Sequence, residues 1–264
     1  MPASSPASPP AADLADTLPL WIAGVPRGRL AAVVAAALAA GSGLEEFFAR
    51  HDEGYTLRDE GLDSMERGAL LQRAALALRA RGLVPGWRDE LCALLDGERE
   101  LARFERGAFR TLGLRNRAVH VNGRLEDGRL WIARRSASKP SAPNKLDNLA
   151  AGLISAGESP EQCARRELWE EAGVPAALAA PLRFPGVTLH SLRRIAHGVH
   201  DELLFCADLM LPADFTPRCQ DGEVQAFYRM TPAEVAAALA RGEFSIEAGL
   251  VVADCLRRRG RDPR

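Results

Sequence analysis

The sequence predicts a mixed α/β fold, an α+β arrangement of a mixed sheet between helices, preceded by a smaller and mostly helical N-terminal domain. Apolar residues recur at helical spacing over residues 16–113, and runs typical of strands begin near Leu114. A helix with capping residues at both ends falls at 160–172. At 264 residues the chain is long enough to bury a sizeable core and to form one or two domains.

The composition disfavours several classes of protein. The 34 basic and 35 acidic residues nearly cancel, which does not favour binding to nucleic acid or to a membrane surface. The longest apolar segment, residues 30–40, is too short to span a bilayer. The five cysteines are scattered and lack metal-ligand spacing, as is typical of a reducing compartment, so we predict a cytoplasmic location. Residues 1–15 are rich in Pro, Ala and Ser and predict a disordered tail.

The N-terminal domain, residues 16–113, is predicted to consist mainly of helices. Apolar residues at a spacing of three and four mark each helix, and clusters of Gly, Pro and Asp separate them. The predicted helices lie at 27–40, 64–81, 87–95 and 98–112.

The C-terminal domain, residues 114–264, is predicted to begin with a hairpin. Residues 117–122 alternate as a strand does, Glu126, Asp127 and Gly128 suit the turn, and residues 129–134 return. The remaining elements alternate between strand and helix. Strands are predicted at 149–156, 186–192, 202–211 and 224–230, and helices at 160–172, 232–241 and 246–259.

The predicted helix at 160–172 carries start and stop signals. Ser159 suits the N-cap, Pro160 suits the first helical position, and Gln162 completes a capping box. Gly173 suits the position just after the last turn.

Three glutamates share one face of this helix. Glu167 precedes Glu170 and Glu171 by three and four residues, so the side chains are neighbours that repel each other. A purely structural helix would avoid that repulsion, whereas Mg²⁺ prefers oxygen ligands. Arg166 lies one turn before Glu170 and can hold that carboxylate in place. The pattern predicts a metal site, and a solvated acidic face is the alternative for the Glu170–Glu171 pair alone.

The wider segment from Gly152 to Val174 follows the pattern G-x5-E-x7-R-E-U-x-E-E-x-G-U, where U is apolar. This resembles the signature of Nudix hydrolases at every fixed position. The resemblance implies a mixed sheet sandwiched between helices, a Mg²⁺ or Mn²⁺ cofactor, and hydrolysis of a phosphoanhydride in a small diphosphate. The metal ligands it implies are Glu167, Glu170, Glu171 and Gly152, and the catalytic residues it implies are Glu170, Glu171, Arg166 and Glu223.

Charged residues just before the signature are candidates for binding substrate. Arg134, Arg135 and Lys139 lie on a strand end and the loop after it, where they can donate charge-assisted hydrogen bonds to a diphosphate. A solvated basic edge is the alternative. Lys145 and Asp147 flank the strand that enters the signature, and they either contact substrate or form a structural ion pair.

Segments outside the signature, such as residues 87–91 (WRDEL) and 221–224 (DGEV), resemble one Nudix subgroup related to the Nudix half of fungal thiamine pyrophosphokinases. The resemblance implies removal of a phosphate from thiamine diphosphate or its oxidised derivatives. The chain departs from the subgroup's pattern at Asn144 and Leu153, where glycine is common. For such a substrate we expect aromatic or apolar pocket walls with few carboxylates. Trp131 is a candidate for these walls, and a place in the core is the alternative for it.

Three other functions stay open. A pyrophosphatase of ADP-ribose or nucleoside-diphosphate sugars uses the same chemistry. An isopentenyl-diphosphate isomerase needs a cysteine on the strand that enters the signature, and residues 146–151 contain none. A non-enzymatic Nudix sensor usually lacks signature glutamates, which are all present here. The number of metals and the oligomeric state are undetermined, and a homodimer is compatible with the sequence.

Overall fold

A computed structural model describes residues 14–41 and 43–259 of the chain. The predicted disordered tail, residues 1–15, lies almost wholly outside the described residues. Within the described ranges, no helix is long and apolar enough to cross a membrane.

The N-terminal part, up to residue 113, combines small sheets with helices. One sheet has four strands in the order β2-β1-β4-β3, and β5 pairs with β6 in a separate ribbon. The strands are β1 (Leu18–Ile22), β2 (Val25–Leu30), β3 (Phe48–His51), β4 (Gly54–Leu57), β5 (Leu91–Asp96) and β6 (Arg99–Glu105). The helices are α1 (Ala32–Ala39), α2 (Ser64–Arg79) and α3 (Arg106–Leu112).

The prediction of a mostly helical N-terminal domain is therefore wrong, although α2 lies where a helix was predicted. Residues 27–30, 91–95 and 99–105 form strands instead of helices. The segment 99–105 is rich in Arg, Glu, Leu and Ala, which favour helix locally. Pairing with β5 and close packing on α2 override that preference, since a Cβ on Gly68 would lie 2.9 Å from the Arg103 carbonyl oxygen.

The C-terminal part is built on a seven-stranded mixed sheet. Its main path runs β11-β12-β7-β8-β13, and β7 and β12 are parallel. The strands are β7 (Arg115–Arg124), β8 (Leu130–Arg135), β9 (Leu146–Asp147), β10 (Ala150–Leu153), β11 (Thr188–Ile195), β12 (Gly198–Met210) and β13 (Val224–Met230). The helices are α4 (Pro160–Ala172), α5 (Ala176–Ala179), α6 (Pro232–Ala240) and α7 (Ile246–Arg259).

Helices cover both faces of this sheet, which confirms the predicted mixed sheet between helices. Successive side chains of β7 point to opposite faces. Val119 packs in the same core cluster as Leu168 of α4, whereas Ala118 packs with Val251 of α7. The strands predicted for this part are all present, with β13 at its predicted bounds and the others shifted by a few residues.

A gap in the sheet positions the site. Strands β7 and β8 pair only at Gly123–Trp131 and Arg124–Leu130 and then diverge. The short strand β9 pairs with β8, and β10 pairs with β7, so the chain crosses the gap between them. Asp147 of β9 and Gly152 of β10 both line the cleft that opens at this crossing.

Candidate active site

The helix α4 forms at its predicted bounds because its ends are satisfied locally. The Gln162 backbone N–H donates to Ser159 Oγ at 3.2 Å, and the Ser159 N–H donates to Gln162 Oε1 at 2.8 Å. Gly173 ends the helix with a φ of 63°, a left-handed conformation that glycine adopts without strain.

The signature glutamates lie partly inside the protein. Glu167 and Glu171 are 9% and 5% exposed, whereas 41% of the Glu170 side chain is exposed. Burial raises the pKa of Glu167 to about 7 against the opposing effect of Arg166, and burial together with the charge of Glu167 raises the pKa of Glu171 to about 8. Burial therefore disfavours the charged forms of both carboxylates at this end of the helix.

Arg166 organises three carboxylates at once. It donates two hydrogen bonds to Glu158, at 2.9 and 3.0 Å, one to Glu167 at 2.5 Å and one to Glu170 at 3.1 Å. A further bond to the Leu153 carbonyl at 3.2 Å ties the helix to β10. The orienting role predicted for Arg166 toward Glu170 is thus matched by a hydrogen bond, and Glu158 is the partner that holds the guanidinium itself.

Gly152 leaves room for a carboxylate. A Cβ at this position would lie 1.8 Å from Glu167 Oε1, so any larger residue would push the carboxylate away from the strand. The backbone of the neighbouring Ala151 donates a hydrogen bond of 2.8 Å to Glu171 Oε2. Strand β10 therefore binds Glu171 through a backbone hydrogen bond and leaves space for Glu167.

Lys139 brings together residues that are far apart in the sequence. Its ammonium group lies 3.4 Å from Glu171 Oε1 and in close contact with Glu223 Oε2. Only 12% of the Lys139 side chain is exposed, compared with 38% of the Glu223 side chain. The sequence predicted separate roles for Lys139, Glu171 and Glu223, and the structure brings the three side chains into contact.

The donor set fits a hard divalent cation. Within residues 14–41 and 43–259, no three Asp, Glu, His or Cys side chains converge as a ready metal cage, because Arg166 and Lys139 lie between the carboxylates. Carboxylates are nevertheless the oxygen donors that such a cation prefers, and an added positive charge would favour the ionised forms of Glu167 and Glu171, whose pKa values are raised by burial. Glu167, Glu170, Glu223 and Gly152 line one region, and Glu171 is joined to it through Lys139. The Gly152 carbonyl accepts a contact of 3.7 Å from the Cys163 thiol.

These residues form one end of a cleft of about 440 Å³ that both parts of the chain line. The N-terminal part contributes Arg88, Glu90, Arg106 and Arg110. Close packing joins the parts, since a Cβ on Gly198 would lie 2.0 Å from the Arg110 carbonyl oxygen.

The WRDEL segment, residues 87–91, fastens the N-terminal part to the signature loop. Glu90 accepts a hydrogen bond of 2.5 Å from Arg106 and one of 2.9 Å from the Ser155 hydroxyl. The Ala156 N–H donates to the Leu91 carbonyl at 2.9 Å. Sequence reasoning singled out this segment without a role for it, because its partners in the signature loop, Ser155 and Ala156, lie 65 positions away.

The candidate substrate-binding residues separate into two groups. Arg135, Lys139 and Asp147 line the cleft, and Arg135 forms an ion pair of 2.7 Å with Asp147. The structure does not bring Arg134 or Lys145 to the cleft. Since neighbouring residues of a strand point to opposite faces, Arg134 turns away from Arg135 and donates to Tyr228 and to the Asn144 carbonyl. Lys145 donates to the Gly242 carbonyl at 2.8 Å.

The expected aromatic walls are not found. No Phe, Tyr or Trp of the described residues lines the cleft, and Trp131 lies 5% exposed in the core beneath α4. Trp169 is 54% exposed and lies outside the cleft. The expectation of few carboxylates is also wrong, since Glu90, Glu202 and Glu247 face the cleft beyond the signature. Trp131 is buried because its strand position points to the face that α4 covers.

Comparison with known proteins agrees with the signature. Residues 114–253 match the NUDIX domain family. The chain is 37% identical over 201 residues, 74% of its length and 55% of the relative's, to Nudix hydrolase 24, chloroplastic, of Arabidopsis thaliana. It is 37% identical over 186 residues, 68% of its length and 50% of the relative's, to Nudix hydrolase 20, chloroplastic, of the same plant. The chain thus spans about half the length of these two relatives. A solved structure, DR0079 from Deinococcus radiodurans, superposes with a TM-score of 0.49 and 26% identity, over 64% of this chain and 98% of that one.

Proposed function

Since this chain belongs to the Nudix family, we propose that it hydrolyses a phosphoanhydride bond of a small diphosphate compound with the help of Mg²⁺ or Mn²⁺. The observation that carries the proposal is the surplus of carboxylates over cationic groups at one end of the cleft. Glu167 and Glu171 both have raised pKa values there, and Arg166 and Lys139 are shared among several carboxylates. Such a surplus is costly unless a cation binds.

In this proposal Glu167, Glu170, Glu171 and the Gly152 carbonyl hold the metal. A bound divalent ion supplies positive charge that neutralises the phosphates and activates water. Arg166 keeps Glu167 and Glu170 in position through its hydrogen bonds.

The remaining charged groups act on water and on the phosphates. Glu223 takes the proton from the attacking water, since 38% of its side chain is exposed whereas Glu171 is almost completely buried. Lys139 and Arg135 line the cleft beside the signature and bind phosphate oxygens.

We further propose thiamine diphosphate or its oxidised derivatives as the substrate and the monophosphate plus phosphate as products. Similarity to the thiamine-related subgroup outside the signature supports this, in particular the WRDEL segment that contacts the signature loop. The cleft volume of about 440 Å³ suits a small ligand. The second candidate is a pyrophosphatase of ADP-ribose or nucleoside-diphosphate sugars, which the polar walls of the cleft favour. The cytoplasmic location and the homodimer stay predictions.

A substrate panel tests the proposal. Release of phosphate or monophosphate is measured with thiamine diphosphate, its oxidised forms, ADP-ribose and UDP-glucose, each with Mg²⁺, with Mn²⁺ and with a chelator. We expect metal-dependent release and the highest kcat/KM for a thiamine compound. If ADP-ribose exceeds every thiamine compound by more than about tenfold, a difference of about 1.4 kcal/mol in transition-state binding, the second candidate is correct. Absence of metal-dependent release from all compounds would refute the hydrolase proposal.

A further inference from the structure

The end of the cleft away from the signature contains two buried glutamates with different surroundings. Glu247, at the start of α7, is satisfied: its Oε1 accepts a hydrogen bond of 2.8 Å from Ser191 and a short one from Arg193. Burial alone would raise the pKa of Glu247, but His200 and Arg193 beside it hold that pKa well below its ordinary value. Glu247 is therefore a charged structural residue whose hydrogen-bonding needs are met.

Glu202, on β12, faces the cleft and has only loose ion pairs among the described residues. It is 5% exposed and lines the cleft, yet its carboxylate accepts no hydrogen bond from any residue in 14–41 or 43–259. The nearest cationic groups, Arg110 Nη2 at 3.9 Å and His200 Nε2 at 3.8 Å, lie beyond hydrogen-bond distance. Because Glu202 lines the cleft, a ligand in the cleft can donate a hydrogen bond to its carboxylate.

The ring of His200, next to Glu202 on the sheet, is paired with Glu247. His200 is 2% exposed, and its Nε2 lies 3.0 Å from Glu247 Oε1 and 3.8 Å from Glu202 Oε1. His200 is not among the described residues that line the cleft. Glu202 is therefore the acceptor at this end of the cleft to which no described residue donates a hydrogen bond.

The sheet register sets the distance between Glu202 and the signature end of the cleft. Glu202 lies opposite Asn116 of β7, and Gly152 lies opposite Val119 on the other side of β7. Two strand spacings and three residues along the strand separate Glu202 from Gly152, so their Cα atoms are roughly 14 Å apart. This separation matches a diphosphate held at the signature with an organic group extending along the cleft.

We propose that Glu202 is a specificity residue that accepts a hydrogen bond from an N–H group on a nitrogen heterocycle at the organic end of the substrate. The inference rests on the proposed function, because it assumes that the diphosphate occupies the signature end. A carboxylate repels phosphate, so the phosphates do not bind here, and an apolar group would leave the acceptor unsatisfied. Arg110, from the N-terminal part, borders this subsite, which makes the N-terminal part a contributor to substrate selection.

Binding to matched ligand pairs tests the inference without requiring turnover. The first pair is thiamine monophosphate and its analogue lacking only the pyrimidine amino group. The second is AMP and purine riboside 5′-monophosphate, which lacks only the adenine amino group. Dissociation constants are measured by calorimetry in metal-free buffer for the wild type, for Glu202→Gln, and for Glu126→Gln, an exposed hairpin carboxylate that serves as the matched control.

We expect the wild type and Glu126→Gln to bind the amino-bearing member of one pair about tenfold more tightly than its partner, since one buried hydrogen bond distinguishes them. In Glu202→Gln this ratio should fall below about twofold, and the pair that shows the effect identifies the heterocycle. Equal binding within both pairs, no binding of any probe, or an unchanged ratio in Glu202→Gln would overturn the inference. Hydrolysis of the diphosphates is scored separately, so loss of the hydrolase proposal leaves the binding result interpretable.

Discussion

Both ends of the cleft bury glutamates, but they balance the negative charge differently. At the signature end, burial raises the pKa of Glu167 to about 7 and that of Glu171 to about 8. At the far end, burial has the same tendency, yet His200 and Arg193 keep the pKa of Glu247 well below its ordinary value. Burial of a carboxylate therefore does not distinguish a functional residue from a structural one. The number of cationic groups available to each carboxylate distinguishes the two kinds of residue.

The two ends differ in the number of cationic groups for each carboxylate, which explains why the pKa shifts have opposite directions. At the far end, Glu247 has Arg193 beside it as a partner of opposite charge. At the signature end, Arg166 and Lys139 serve a larger set of carboxylates, namely Glu158, Glu167, Glu170, Glu171 and Glu223. The signature end therefore gains from an additional cation, whereas the site around Glu247 does not.

Replacing a carboxylate at the signature end should reduce turnover more than any other change tested. We expect Glu170→Gln and Glu171→Gln each to remain folded and to lower kcat at least ~100-fold, because a metal ligand is lost from an electrostatic site. Turnover is measured at saturating Mg²⁺. Glu161→Gln, on the exposed face of the same helix, is the control and should keep its activity. Near-normal turnover of the folded Glu170 and Glu171 variants would refute the metal-site assignment.

Replacing Glu247, which is paired with Arg193, should instead lower the stability of the fold. We expect Glu247→Gln to lower the free energy of unfolding at pH 7 by about 3 kcal/mol, because Arg193 loses its buried partner. The folded pKa of Glu247 is lowered, so the stabilisation is present above the unfolded pKa of about 4.3 and is lost as the pH falls below it. Urea unfolding at pH 7 and at pH 3 measures this. A variant that loses the same stability at both pH values would contradict the charge argument.

Lys139 and Arg134 are close in sequence but should differ in their effect on substrate binding. Lys139 lies between carboxylates in the cleft, whereas Arg134 lies outside it. We expect Lys139→Ala to raise KM for the diphosphate substrate about tenfold, since a charge-assisted hydrogen bond to phosphate is lost. Arg134→Ala should leave KM unchanged. Steady-state kinetics of both variants decides, and equal effects would show that proximity to the signature in sequence matters more than position in the cleft.

The smallest expected effect is a pH-dependent response to metal. The folded pKa values of Glu167 and Glu171 are raised, so their stabilising contribution is present below about pH 4.3 and is lost as the pH rises through about 7 and 8. Mg²⁺ favours the deprotonated carboxylates. We therefore expect Mg²⁺ to raise Tm by about 3 °C more at pH 8.5 than at pH 6. Thermal unfolding with and without Mg²⁺ measures this, and Glu171→Gln should show a smaller difference than Glu161→Gln. A pH-independent shift in the wild type would count against the carboxylates as the binding site.

The sequence predicted the C-terminal part far better than the N-terminal part. The bounds of α4 and β13 were predicted at the residue level, because capping residues and strand alternation are local signals. The segments 91–95 and 99–105 were predicted as helices and form strands. Their residues favour helix in isolation, and only the partner strand and α2 decide the outcome.

The sequence by itself determined the helix α4 and the shared face of Glu167, Glu170 and Glu171, since these depend on residues a few positions apart. Only the tertiary structure decided that Lys139 lies between Glu171 and Glu223, that Arg134 leaves the cleft, and that Glu202 is buried without a donor. The physical reason is that charge balance and desolvation depend on every group packed around a side chain, and that set is assembled by strand pairing across long stretches of sequence.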